Sequence, residues 1–198
     1  MNLARRHRRG FTLFEAMLAI SLAAAAGAAM LLGTTSALQT SDEALKQVIA
    51  AGMAQQLMDE ALGCMYCAKG VTPYDSYLGC SVDEDGGQGR ERYNDIDDFH
   101  NVRYSPPADP YGIGLGNDDG LGGVRPPELR APEGIIGQWR QEVDVYYVAP
   151  PDLSIRRTNT NPSDYRAVEV RIVELLPGGG RRELASLKRV VVYVPPLP

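Results

Sequence analysis

The amino-acid sequence predicts an α+β fold, in which one long N-terminal helix packs on a C-terminal antiparallel sheet. Three observations lead to this prediction. Residues 11–62 have a helical pattern, residues 139–198 contain β-branched segments separated by turn residues, and no strand–helix–strand alternation joins them. The chain has 198 residues, which suffice for one globular domain of usual size and an appendage but not for two full cores.

The charge of the chain is distributed unevenly. The formal net charge is −5, from 20 basic and 25 acidic residues. Residues 1–10 contain four arginines and no acid, which leaves 16 basic and 25 acidic residues, a net charge of −9, in residues 11–198. An acidic surface repels the phosphate backbone, so no nucleic-acid partner is expected. The body has one histidine, His100, and no catalytic set of residues is recognised.

The basic leader of residues 1–10 precedes an apolar stretch that we assign to residues 11–33. Within it, Phe11–Leu32 comprises 22 residues with Glu15 as its one charge. At about 1.5 Å per residue, such a helix is roughly 33 Å long and can cross the hydrocarbon core of a bilayer. The arginines before it predict a cytoplasmic N-terminus and a single pass through the membrane.

A cleavable secretory signal is the alternative for this stretch, since such signals also combine a basic start with an apolar middle. Two features favour a retained helix. The apolar core of an ordinary signal has only about 7–15 residues, and a carboxylate at membrane depth is energetically costly unless it is partnered. Glu15 therefore needs an explanation that a simple signal does not give.

The segment Gly10-Phe11-Thr12-Leu13-Phe14-Glu15 resembles the class III signal of type IV pilins and type II secretion pseudopilins. The resemblance implies that prepilin peptidase cleaves after Gly10 and that the new N-terminus, Phe11, is methylated. It also implies as partners membrane lipid, other pilin or pseudopilin subunits and the inner-membrane assembly platform. The protein would lie in the inner membrane with a periplasmic head, and then in a pilus or pseudopilus. Glu15 would dock each subunit by meeting the Phe11 amine of its neighbour, because an unpaired charge in lipid is costly.

A second, looser resemblance concerns the segment from Arg92 to Pro107. Its aromatic, acidic and histidine residues before a proline pair are similar to those in minor pilins of the mannose-sensitive haemagglutinin pilus. The helix end at residues 54–60 is similar to theirs and to that of I-type minor pseudopilins. The alternative is a surface turn in which Tyr93 and Phe99 pack inward and the carboxylates face water.

Residues 34–62 continue the helix in an amphipathic form. Apolar residues recur at four-residue spacing, and most charged residues fall on other faces. These apolar residues are Leu45, Ile49, Met53, Leu57 and Ala61, with Leu38 and Val48 beside them. One stripe predicts one covering surface, a sheet of the same chain, and Gly63 is expected to end the helix.

Beyond the helix, a loop-rich region (residues 63–138) precedes the predicted sheet (residues 139–198). The loop region is rich in glycine and proline and lacks clear periodicity. The predicted strands are Glu142–Val148, Ala167–Leu175 and Lys188–Val194. The last two are expected to form an antiparallel hairpin across the proline and glycines of residues 177–180.

Three cysteines follow the helix, with Cys64 and Cys67 in C-x-x-C spacing and Cys80 further on. A redox motif needs a thioredoxin-type context, a zinc site needs four ligands, and haem attachment needs a histidine where Ala68 stands. In an oxidising compartment we expect one structural disulfide, between Cys80 and either Cys64 or Cys67. The alternatives are three free thiols, or a metal or redox function.

Carboxylates of the loop region form a candidate calcium site. Calcium takes about six to eight oxygen ligands, which side-chain carboxylates and backbone carbonyls of a loop can supply. The candidate ligands are Asp83, Asp85, Asp95, Asp97 and Asp98. No EF-hand spacing is present, and the alternative is a set of solvated turns. No other cofactor is expected.

These features define three functional hypotheses. The first is a minor pilin or pseudopilin, a structural subunit without enzymatic activity that is processed and assembled through its N-terminal helix. The second is a pilin-like adhesin whose acidic, glycine-rich loop binds a ligand. The third, which the sequence favours least, is a membrane-tethered thiol oxidoreductase that uses Cys64 and Cys67.

Overall fold

A computed structural model describes residues 12–131 and 134–195 of the chain. Within these ranges the helix α1 comprises Leu13–Leu62, and the strands are β1 (Val102–Tyr104), β2 (Trp139–Val148), β3 (Tyr165–Leu175) and β4 (Arg181–Val192). The strands form one sheet in the order β1-β2-β3-β4, and every neighbouring pair is antiparallel. A long helix followed by an antiparallel sheet confirms the predicted α+β class.

The chain divides into two compact units, of which the first ends at Leu45 and the second begins at Lys46. In the first unit, the described residues consist almost entirely of α1. By length and composition this helix can cross a membrane, and none of its most apolar 18-residue window is buried in the protein. Large apolar side chains such as Leu13, Phe14 and Met30 are therefore left exposed.

In the second unit, the last part of α1 buries one stripe of side chains against the sheet. The buried residues of α1 are Ala50, Met53, Ala54, Leu57, Met58 and Ala61. Their spacing alternates between three residues and one, which keeps them on one face of a helix with about 3.6 residues per turn. Three of them are alanines, and the other three are the larger residues Met53, Leu57 and Met58.

The predicted stripe is correct at Met53, Leu57 and Ala61 and wrong at Leu45, Val48 and Leu38, which are 44%, 70% and 68% exposed. A strict four-residue repeat advances by about 40° around the helix at each step. Its first member, Leu45, therefore points away from the face that its later members bury. The packed stripe is shorter than predicted and is confined to the last turns of α1.

The sheet face that meets α1 carries alternating apolar side chains of β2 and β3. Val143 of β2 pairs with Val170 of β3, and cross-strand partners in an antiparallel sheet point to the same face. The buried core on this face contains Trp139, Val143, Val145, Val168, Val170 and Ile172, together with Ile96, Phe99, Val102 and Ile136 from the preceding segments. Helix, sheet and part of the loop region thus share one core.

The strands β3 and β4 form the predicted hairpin. Its turn contains Gly178 and Gly179 at φ values of 87° and 83°, a left-handed backbone that glycine adopts because it lacks a Cβ. The Leu176 N–H closes the turn by donating to the Gly180 carbonyl at 2.8 Å. The hairpin prediction is therefore confirmed.

Strand boundaries in the rest of the sheet differ from the prediction. β4 begins at Arg181 rather than at Lys188, because its polar first residues pair with the end of β3. The sequence does not predict β1, whose three residues pair with Gln141–Val143. Both features depend on a partner strand, and hydrophobic periodicity within a segment does not report such a partner.

The packing of α1 leads to a stability prediction. Leu57→Ala is expected to lower the free energy of unfolding of the second unit by about 2–5 kcal/mol, because Leu57 is 1% exposed in the core. Leu38→Ala, on the exposed part of the same helix, is the control and is expected to change it by less than about 0.5 kcal/mol. The measurement is denaturant unfolding of the full chain in detergent, followed by near-ultraviolet circular dichroism. An equal decrease in the free energy of unfolding in the two variants would contradict the described packing.

Candidate functional site

The N-terminal candidate site begins outside the described residues, since Gly10 and Phe11 precede Thr12. Within the described part, Thr12 and Glu15 form a reciprocal capping box at the start of α1. The Glu15 N–H donates to Thr12 Oγ1 at 3.2 Å, and Glu15 Oε2 accepts from the N–H and the hydroxyl of Thr12 at 2.9 Å each. Glu15 therefore has a partner within its own chain.

The capping box leaves one carboxylate oxygen of Glu15 available. Among residues 12–131 and 134–195, no group donates a hydrogen bond to Oε1. The neighbouring side chains Leu13 and Phe14 are apolar and exposed. Glu15 is itself exposed, so its Oε1 is open to a donor from another chain. The Thr-x-x-Glu spacing is a capping signature that the docking hypothesis, built from the sequence, did not use.

All three cysteines are free thiols in the structure. Each Sγ donates to a backbone carbonyl, at 3.6 Å for Cys64, 3.8 Å for Cys67 and 3.1 Å for Cys80. The disulfide between Cys80 and Cys64 or Cys67 stays a prediction. Burial raises the pKa of each thiol, that of Cys80 to about 11. Because the thiolate is the reactive form, raised pKa values argue against the thiol oxidoreductase hypothesis.

Three of the five candidate calcium ligands lie together in a buried turn that includes the short 3₁₀ helix Asp97–Phe99. Asp95, Asp97 and Asp98 are 3%, 8% and 3% exposed, so the expectation that the carboxylates of this segment face water is wrong for them. Asp95 Oδ1 accepts the N–H groups of Asp97 and Asp98 at 3.1 and 3.3 Å. Asp98 Oδ2 accepts those of Asn94 and Asp95 at 2.8 and 3.2 Å. These carboxylates stabilise the fold of the turn.

The other two candidate ligands, Asp83 and Asp85, lie in an exposed turn at residues 82–86. Across the part of the chain that the structure describes, no three histidine, cysteine or acidic side chains form a group that could hold a metal ion. The calcium site stays a prediction, and the hydrogen bonds of Asp95 and Asp98 offer a different role for two of its members.

Arg166 of β3 joins the buried turn to the sheet. Its side chain is fully buried, and its Nη1 donates to Asp97 Oδ1 at 2.7 Å and to the Tyr66 carbonyl at 2.5 Å. Nη2 donates to the Pro73 carbonyl and to the Tyr147 hydroxyl, both at 3.2 Å. A buried guanidinium requires such partners because an unpaired charge in the interior is costly. Sequence reasoning missed Arg166, although an arginine at a core-facing position of a strand was an available signal.

Tyr93 and Phe99 pack inward, as the surface-turn alternative predicted. Their rings meet nearly edge to face, with centroids 5.1 Å apart and an interplanar angle of 85°. Phe99 belongs to the core around α1. The fold therefore explains the aromatic residues of this segment without a ligand.

Comparison with known proteins bears on the N-terminal segment. Residues 5–31 match the sequence model of the prokaryotic N-terminal methylation motif, and they include Gly10, Phe11 and Glu15. No curated protein and no solved structure matches the chain. The motif supports a class III signal, and with the apolar helix it supports a type IV pilin-like or pseudopilin-like subunit, which has a structural role.

The buried acidic turn is expected to make the stability of the protein depend on pH. Burial raises the pKa of Asp98 to about 6 and also raises the pKa of Asp95, which shares a hydrogen bond with Asp97. A carboxyl group whose pKa is higher in the folded state stabilises that state while it is protonated. This stability is fully present below the unfolded pKa and is lost as the pH rises through the folded pKa.

Asp98→Asn tests this term, because the amide oxygen can still accept the N–H groups of Asn94 and Asp95 but carries no charge. Between pH 5 and pH 8, the free energy of unfolding of the wild type should fall by about 1–2 kcal/mol relative to the variant. The comparison with the variant is necessary because burial also lowers the pKa of His100. That shift makes the free energy of unfolding rise with pH, which is opposite to the effect of Asp98. The prediction would be contradicted if the free energies of unfolding of the wild type and the variant, measured by denaturant unfolding, differed by the same amount throughout this pH range.

Proposed function

We propose that this chain is a minor subunit of a type IV pilus or of a type II secretion pseudopilus, processed by prepilin peptidase. The observation that carries the proposal is the methylation motif at residues 5–31, which runs into the exposed apolar part of α1. Cleavage after Gly10 removes the arginine-rich leader and leaves the apolar helix on the mature protein. Methylation of Phe11 keeps the positive charge of the new terminal amine.

The exposed helix supports insertion into the inner membrane followed by assembly. Lipid covers its apolar side chains first, and the helices of neighbouring subunits cover them in the filament. Alanine is frequent in this part of the helix, and small side chains let helix backbones approach closely in lipid. The arginines before the helix favour a cytoplasmic N-terminus and a periplasmic head. Other pilin subunits and an inner-membrane assembly platform are the expected partners.

Glu15 is proposed to dock one subunit on the next. A carboxylate in lipid is costly unless it is partnered, and the Thr12 cap involves only Oε2. The methylated amine of Phe11 on a neighbouring subunit would supply a positive charge and an N–H donor for Oε1. Docking would thus add a charge pair to the capping interaction that each subunit already contains.

Processing is tested at the mature N-terminus. In cells with prepilin peptidase, intact mass and N-terminal sequencing should identify a chain that starts at methylated Phe11. Cells without the peptidase, and the variant Gly10→Leu, should yield the full precursor, because the peptidase requires a small residue before the cut. A mature chain that starts near residue 30 would establish an ordinary secretory signal and refute the proposal.

Docking is tested with two substitutions of Glu15 that separate charge from capping. Glu15→Val removes both, whereas Glu15→Gln removes the charge and keeps an oxygen that can accept from Thr12. Both variants should be inserted and cleaved normally. If docking needs the charge, both should also be depleted from sheared filaments by at least about tenfold, since each leaves an unpaired amine in the helix bundle. Quantitative immunoblots of filament and membrane fractions measure the depletion.

The control for docking is Asp42→Asn, which removes an exposed carboxylate from the same helix beyond the apolar segment. This variant should assemble at the wild-type level. Normal assembly of Glu15→Gln together with loss of Glu15→Val would assign Glu15 to capping alone. Normal assembly of both would show that Glu15 has no part in docking.

A further inference from the structure

The strand β4 has an open backbone edge. It occupies one end of the sheet and pairs with β3 on one side only. Among residues 12–131 and 134–195, no strand and no isolated bridge pairs with its outer side. Its 12 residues span roughly 40 Å, so a long row of N–H and C=O groups is available for hydrogen bonds. The strand β1 at the other end has only three residues.

Natural proteins usually shorten, bend or cover such an edge, because an open strand pairs with other chains. The strand β4 contains no proline, and its register shift with β3 lies at Ile172/Val173. Ala185–Val192 is paired regularly beyond that shift. In this regular part, Val190 and Val192 are 37% and 47% exposed and point to the same face. They offer apolar contacts to the side chains of an added strand.

The charge of β4 selects among possible partners. The strand carries four basic residues and one acid, Glu183, in a chain whose net charge is −5. Arg181 and Arg182 already pair with Glu142 and Glu174. Lys188 and Arg189 donate to backbone carbonyls, which do not neutralise their charge. Like charges on paired strands are destabilising, and basic side chains on an edge oppose self-association. Pairing with the β4 edge of a second copy is therefore disfavoured. An extended segment that carries acidic residues is favoured.

We propose that the β4 edge binds an extended, acidic segment of a neighbouring subunit by strand addition. The proposal rests on the proposed function, which places this head beside other subunits in a filament. Backbone hydrogen bonds along Arg181–Val192 provide affinity. The exposed valines and the basic side chains of Lys188 and Arg189 provide selectivity for a segment in which apolar and acidic residues alternate.

Hydrogen exchange of the full chain in detergent tests the edge directly. The probes are two capped synthetic peptides of about ten residues, one alternating valine with glutamate and the other alternating valine with lysine. The glutamate peptide should slow amide exchange within residues 181–192, and the effect should weaken as salt is added. The lysine peptide should have no effect. Equal protection by both peptides, protection confined to other segments, or no protection at millimolar peptide would overturn the proposal.

Charge variants of the same chain make the test specific. Arg189→Glu should weaken binding of the glutamate peptide by about two- to fivefold, and Glu183→Lys should strengthen it by a similar factor. Lys69→Glu, which reverses an exposed charge in the loop region, is the matched control and should leave binding unchanged. Protection of β4 that rises with protein concentration without any peptide would identify a second copy as the occupant and refute the acidic partner. The assay needs neither cleavage nor filament assembly, so its failure is distinguishable from failure of the proposed function.

Discussion

One buried charge that must be paired ties the loop region to the sheet. Arg166 lies fully inside the second unit and binds Asp97 together with the carbonyls of Tyr66 and Pro73. Removing one partner of a buried ion pair typically costs about 3–5 kcal/mol, since the remaining charge is left uncompensated. This side chain therefore links both the segment after α1 and the acidic turn to β3.

Glu15 and Asp97 illustrate two ways in which a carboxylate is partnered within its own chain. Asp97 has a full charge partner, Arg166, and its role lies in the fold. Among residues 12–131 and 134–195, the uncharged groups of Thr12 are the partners of Glu15, and these engage one of its two oxygens. A carboxylate that is fully paired within its own chain gains little by binding a group of a neighbouring subunit. A carboxylate with one oxygen unbonded can gain a charge partner when subunits assemble. This difference separates the structural acid from the proposed docking acid.

Local patterns predicted the features that depend on near neighbours in the sequence. The α+β class, the end of α1 before Gly63 and the β3–β4 hairpin follow from periodicity and turn residues. The methylation motif is also local, and the Thr12–Glu15 cap could have been found in the same way. The ion pair between Asp97 and Arg166 joins residues 69 positions apart. A sequence pattern can indicate that a buried arginine needs an acid, but it does not identify which acid the fold brings to it.

The apolar helix and the charged head would contribute to an assembly in different ways. Apolar helices with small side chains pack closely in lipid, but many such helices meet that requirement, so their packing gives little selectivity. Charged surfaces discriminate between partners, because juxtaposed like charges repel. A head that is acidic overall and basic along β4 disfavours contacts between identical surfaces and favours contacts between unlike ones. Contacts between unlike surfaces are heterologous, and when they do not close into a ring they build open filaments. The charge pattern of the head and the N-terminal motif therefore favour the same kind of assembly.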